Sequence, residues 1–153
     1  MLTRRFALIV GVIYLLVGIG GFIPGLANAA PSGSPSLTVD FDYNFLAGTF
    51  PINVLHNIVH ILIGLAGIAT STRLGTAKNF ARGLAVLYLV LGIMGMIPGL
   101  NTMFGLVPLF NGDVVLHLLT AAVAAYFGFV HRDRESVGVT GTEGAARPVR
   151  RVS

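Results

Sequence analysis

The sequence predicts an all-α membrane protein of four transmembrane helices, arranged as two parallel helical-hairpin repeats with both termini on the cytoplasmic side. Three observations predict it. The 153 residues are 54% hydrophobic and only 10% charged, with a mean hydropathy of +0.82, whereas a soluble domain carries about 25% charged residues. Four apolar stretches, at 6–23, 51–70, 80–97 and 114–130, are 17 to 20 residues long, and a helix needs about 17–25 to cross the hydrocarbon core. The chain also says one thing twice. Tyr14–Leu26 reads YLLVGIGGFIPGL and Tyr88–Leu100 reads YLVLGIMGMIPGL, with nine of thirteen positions identical at an offset of 74. Such self-similarity marks a duplicated unit, which sets repeat one at 6–70 and repeat two at 80–130.

The first stretch is uncharged and stops at Pro24-Gly25. Its basic start and the small residues Ala27-Asn28-Ala29 also fit a cleaved signal peptide. Its length exceeds the ~7–15 residues of a signal peptide's apolar region, and it duplicates a mid-chain helix, so a retained helix is expected. The second stretch opens with Pro51, a residue tolerated at a helix start. The third contains one charge, Arg82, placed where it can snorkel to headgroups. The fourth follows Asp113, a suitable N-cap. Lipid offers the backbone no hydrogen-bond partner, so all four are helices.

The ten Lys and Arg residues fall in the N-terminus, around the 71–79 loop and in the C-terminal part, while 27–50 and 100–112 contain none. This is the positive-inside pattern, and it makes the net charge of +4 a signature of topology and not of nucleic-acid binding. Residues 27–50 are rich in Pro, Gly and Ser at first, which suggests flexibility, and then become apolar enough to lie on a membrane surface. The tail 132–153 is polar and basic, with the composition of a disordered cytoplasmic segment. There is no Cys, which excludes disulfides and thiolate chemistry.

The repeated residues share a face. Tyr14, Gly18, Gly21 and Gly25 are spaced four, three and four apart, as are Tyr88, Gly92, Gly95 and Gly99, which puts each set on one side of a helix. Small residues let membrane helices approach closely, so these glycines read as packing positions, with Gly11 and Ala85 extending the two stripes. The second helix carries Asn53, His56, His60, Gly64 and Gly67, and the fourth carries Asp113, His117, Thr120 and Ala124. Polar groups in a membrane helix face the bundle or a cavity. Counting depth from the proline markers, Gly18 should leave room for the His56 ring, Tyr14 should bond His60, and His117 should come level with Gly92.

LHNIVH at Leu55–His60 is the most chemical stretch. Two His at i and i+4 share a face, the spacing that chelates one metal ion, and His117 lies at similar depth. Imidazole suits Zn, Cu, Ni or haem iron, and Met94, Met96 and Met103 lie near the same end. The alternative is structural, with Asn53, Asn57 and Thr120 hydrogen-bonding the imidazoles. His131 reads as an interfacial residue. No nucleophile–base–acid set is present, and the stretches hold no acidic residue apart from Asp113 at a mouth, which argues against an enzyme and against an ion-coupled transporter.

FPINVLHNIVHILIGLAGIA at Phe50–Ala69, GVIYLLVGIGGFIPGL and VVLHLLTAAVAAYFG resemble an uncharacterised bacterial membrane family, numbered four-three-eight-three in the domain-of-unknown-function series. The resemblance covers about residues 6–130 and singles out Asn53, His56, Asn57, His60, Gly64 and His117. It implies a four-helix protein of the bacterial cytoplasmic membrane and supplies no activity. The function expected is a non-enzymatic accessory or structural subunit, without a cofactor, whose surroundings are the lipid bilayer and a homo-oligomer or larger complex. The alternatives are a haem- or metal-binding protein using His56, His60 and His117, and a small transporter or channel.

Overall fold

A computed structural model describes residues 1–133. The expected disordered tail lies outside the described residues from 134 onward. Helix α1 spans Leu2–Gly20, α2 Val54–Thr70, α3 Leu74–Gly95 and α4 Gly112–Ala125, and α4 continues as a π-helical segment, Tyr126–Val130. Three of these helices (the last counted with its π segment) are long and apolar enough to cross a membrane, and α2 is a shorter apolar helix. Between their polar first turns and the loop end, their outward faces are apolar: Leu16 of α1 is 62% exposed, Leu62 of α2 59%, Val86 of α3 59% and Leu119 of α4 63%. In water such a surface would be a large unpaid hydrophobic area; against lipid it is the expected one.

The helix bounds differ from those read in the sequence at informative places. Helix α1 already contains Thr3, Arg4 and Arg5 and stops at Gly20, short of the expected Ile23. Helix α3 extends back to Leu74, beyond the expected Phe80, and includes Lys78. Helix α2 does not open at Pro51. Phe50–Ile52 is instead a strand, β3, paired antiparallel with β2 (Asn44–Leu46), which pairs in turn with β1 (Ala27–Ala29). The chain is mostly helical, as expected, and this small sheet is an addition built from parts of the stretch read as loop and from the start of the stretch read as the second helix. Pro51 fits because β3 is an edge strand and can spare an N–H. The β2–β3 turn is tight, with Ala47 at φ 50° and Gly48 at φ 69°.

Residues between the helices thus build a cap over one end of the bundle, the loop end. Thr38 and Val39 both donate their N–H to the Gly105 carbonyl, at 2.8 and 3.0 Å, joining the α1–α2 loop to the α3–α4 loop. Phe45 of β2 meets Phe110 with ring centres 6.1 Å apart. Gly25 (φ +91°) and Gly99 (φ +88°) sit in turns, and a Cβ on either would meet nothing within 4 Å. They were expected to pack helices; they are needed for backbone conformations that L side chains rarely adopt.

Within the bundle α1 lies along α2, and α3 along α4, with α1 also touching α3. Phe6 stacks on Phe127 at 4.7 Å, and Tyr14 meets Tyr88 edge-on at 5.3 Å, so the two helix pairs share one core. At the opposite, terminal end Asp133 accepts from the backbone N–H groups of Leu2 (2.6 Å) and Thr3 (3.2 Å). It satisfies two donors that the first turn of any helix leaves free. His131, expected at an interface, lies 3.5 Å from that carboxylate. Arg82 does not simply snorkel. Its Nε donates to the Gly128 carbonyl at 2.9 Å and its guanidinium lies 5.6 Å from the centre of the Phe129 ring, so it is tied to the π segment.

Candidate functional site

Asn53 organises the entrance to α2. As N-cap its Oδ1 accepts from the His56 backbone N–H at 2.9 Å, the standard remedy for a free first-turn donor. Its Nδ2 donates to the carbonyls of Val39 at 2.8 Å and Leu106 at 2.7 Å. One buried amide thus starts the helix and stitches both loops above it.

One and two turns further along the same face come His56 and His60. Their Nε2 atoms are 3.2 Å apart. His117 of α4 joins them, and one nitrogen from each of the three rings lies within 4.8 Å of the others. Asp113, one turn before His117, places Oδ2 3.6 Å from His56 Nε2, close enough for charge attraction and too long for a hydrogen bond. All four side chains are buried. Asp113 was expected as an N-cap at a mouth. The structure puts the cap position at Asn111, with φ 56° and no side-chain cap bond, and turns Asp113 inward. Its i, i+4 relation to His117 was the signal available for this placement.

Two tyrosines wall the cluster. Tyr14 stands edge-on to His60 at 5.1 Å, and Tyr88 edge-on to His117 at 4.8 Å. The expected Tyr14–His60 hydrogen bond is not formed. The Tyr14 hydroxyl is paired with Thr120 Oγ1 at 3.0 Å, because α4 lies within its reach across the core. Nor do Asn53, Asn57 or Thr120 hydrogen-bond an imidazole: Asn53 serves the loops, Thr120 serves Tyr14, and both polar atoms of the Asn57 amide lack a protein partner. Gly18 makes room for the Asn57 backbone and Ile61, not for the His56 ring, and the Asn57 side chain fills the space over Gly21. Gly92 does lie level with His117, whose Cβ would be 3.5 Å from a Cβ there.

The Nδ1 atoms of His56, His60 and His117 and the Oδ2 of Asp113 have no hydrogen-bond partner among the described residues. Leaving such an atom buried and unpaired costs about 1–3 kcal/mol, more if charged. A cavity of about 110 Å³ adjoins the three rings, with Tyr88, Met103 and Leu109 also on its wall. The arrangement can bind a small cation or ordered water through nitrogen and oxygen donors. It has no Ser, Cys or Lys among its buried polar groups to act as a nucleophile.

The family description "Domain of unknown function (DUF4383)" matches residues 4–130. The chain belongs to the DUF4383 family. Comparison with curated proteins and with solved structures finds no match. The DUF4383 match takes in α1 from Arg4 onward, the other three helices, the cap and every member of the histidine cluster, and stops at the end of the π segment.

Proposed function

We propose that this DUF4383 chain is a non-enzymatic integral membrane protein of the bacterial cytoplasmic membrane, whose four helices all cross the bilayer and whose buried polar centre is a binding site. The observation that carries this reading is the segregation of its surfaces. Each helix turns an apolar face outward, while His56, His60, Asp113 and His117 turn to one interior point near the loop end. The shorter α2 completes a crossing with the apolar β3 residues before it. The duplicated YLLVGIGGFIPGL and YLVLGIMGMIPGL segments begin the second half of α1 and of α3, which supports two parallel hairpins related by an axis along the membrane normal. The absence of Lys and Arg from 27–50 and 100–112 supports a loop end facing away from the cytoplasm. A channel or transporter is disfavoured because, between the level of Thr120 and His60 and the buried Thr3 at the terminal end, the buried positions on α2 and α4 are Gly64, Gly67, Ala121 and Ala124.

The chain has no Cys, so single cysteines report topology directly. Ser34→Cys in intact cells is expected to react with a membrane-impermeant maleimide, and Thr72→Cys only after permeabilisation. Equal labelling of both, or the reverse order, would overturn the orientation.

A further inference from the structure

The donor set between α2 and α4 has the composition and spacing of a metal site. We propose that His56, His60 and His117, with Asp113, bind one divalent transition-metal ion of the zinc type, using three imidazole nitrogens and one carboxylate oxygen. Two ligand atoms each about 2.0–2.1 Å from a tetrahedral zinc lie about 3.3 Å from one another. The two edges that the structure defines individually are close to this: His56 Nε2 to His60 Nε2 is 3.2 Å, and His56 Nε2 to Asp113 Oδ2 is 3.6 Å. The third nitrogen, from His117, lies within 4.8 Å of the other two, so a bound ion would draw the His117 ring inward to close the polyhedron.

Charge points the same way. Asp113 is 2% exposed, and no Lys or Arg is among the buried residues around it. An isolated buried charge is heavily penalised, so a carboxyl in that position is either held neutral by a proton or paired with a cation, and a bound ion would supply the cation. A dication beside one carboxylate and three neutral imidazoles leaves a net charge of +1 on the site. A plain imidazole–imidazole hydrogen bond accounts for the His56–His60 contact alone and leaves Asp113 Oδ2, the atom 3.6 Å from His56 Nε2, without a partner among the described residues. Haem fits less well than an ion. The cavity beside the rings is about 110 Å³, whereas pockets for organic ligands are about 300–1,000 Å³. Tyr14 and Tyr88 hold two of the rings edge-on, and Asn53 fixes the start of the helix that carries two of them, so the ligands arrive oriented.

The test uses the full chain purified in mild detergent, stripped with chelator and titrated with Zn²⁺ and with Co²⁺ against a chromophoric competitor. One ion per chain is expected. His60→Ala, His117→Ala and Asp113→Asn each remove a ligand and should each lower affinity by at least about 10–100-fold, the range found when only the groups supporting a metal's ligands are removed. His131→Ala, at the terminal end, should bind as the parent does. Helical circular dichroism and a single elution peak establish that each variant is folded; His60→Gln replaces His60→Ala if the latter aggregates. The proposal is overturned if the folded parent chain binds no more metal than the His56→Ala/His117→Ala double variant, or if the affinity is indifferent to His60. A Soret band in the protein as purified, lost in His56→Ala, would overturn it in favour of haem. The titration is done in detergent, so its outcome is independent of which end of the protein faces the cytoplasm.

Discussion

The two helix pairs begin from nearly the same words and pack by different means. In α1–α2 the contact is backbone against backbone. A Cβ on Gly11 would collide with the main chain of Gly64, Gly67 and Ile68, one on Gly64 with the main chain of Leu15, and one on Gly18 with the main chain of Asn57 and Ile61. In α3–α4 the partner of Gly92 is the end of the Leu118 side chain, and Ala85, Ala121 and Ala124 occupy the core. At mid-bundle the first pair is therefore a rigid seam and the second a deformable one, main-chain contact in the second being kept to its ends, where Gly95 meets the Leu109 carbonyl and Gly128 the Arg82 backbone. The site follows this asymmetry. Two of its histidines and its capping asparagine sit on α2, in the rigid pair, while the deformable pair contributes His117 and Asp113, the two ligands that would adjust around an ion.

The largest effect should come from breaking the seam. Gly64→Ala places a methyl group 2.5 Å from the Leu15 nitrogen, which the backbone of α1 can relieve only by moving away. Overpacking of this kind costs about 1–3 kcal/mol, and a clash against main chain belongs at the upper end. In the other pair, Gly92→Ala meets Leu118 Cδ2 at 2.7 Å, a flexible side chain that can rotate, and should cost about 1 kcal/mol, the low end of that range. Unfolding by SDS in mixed micelles measures both, and equal losses would erase the distinction between the pairs.

Next in size is Asn53→Ala. It removes the α2 cap and two loop staples for about 2 kcal/mol, and it should speed proteolysis within 27–50, since the same amide holds both loops. Tyr14→Phe removes the one hydrogen bond linking α1 to α4 through Thr120. Membrane hydrogen bonds of this type average about 0.6 kcal/mol, so a small shift in the SDS midpoint is expected, and a shift as large as that of Asn53→Ala would mean that Tyr14 also supports His60.

The smallest effect concerns acid. Burial pushes the Asp133 carboxyl up, but the donors of Thr3 and Leu2 and the nearby His131 outweigh it and hold the group below the usual carboxylate range. A depressed folded value means the tie contributes above the ordinary carboxylate range and is lost as pH falls through the folded value. Asp133→Asn should flatten that acid limb of the stability profile by lowering neutral-pH stability by the small amount the tie contributes, while leaving stability below the folded value nearly unchanged.

The helices, the glycine faces and the convergence of three histidines were legible because each is a periodic signal carried by one helix at a time. What escaped is nonlocal. Strands of three residues cannot show alternation, so β1–β3 read as loop, and Pro51 read as a helix start because both roles tolerate a missing N–H. Tyr14 was paired with His60 because depth counting compares positions within one hairpin; its partner Thr120 lies across the bundle. Asp113 was assigned to the cap by its place before an apolar run. The left-handed backbone at Asn111, invisible in the sequence, moves the cap back two residues and turns the carboxylate inward.

The bond from Asp133 to Leu2 makes the described chain nearly a closed ring, since its first helix is held by a residue three past the end of its last. A short linker from residue 133 to Met1 would complete that ring, and new ends cut between Ser71 and Arg73 would yield a protein that inserts α3–α4 before α1–α2. If the two halves are equivalent as insertion units, this permutant should fold around the same histidines, and the order of synthesis would prove incidental to the architecture.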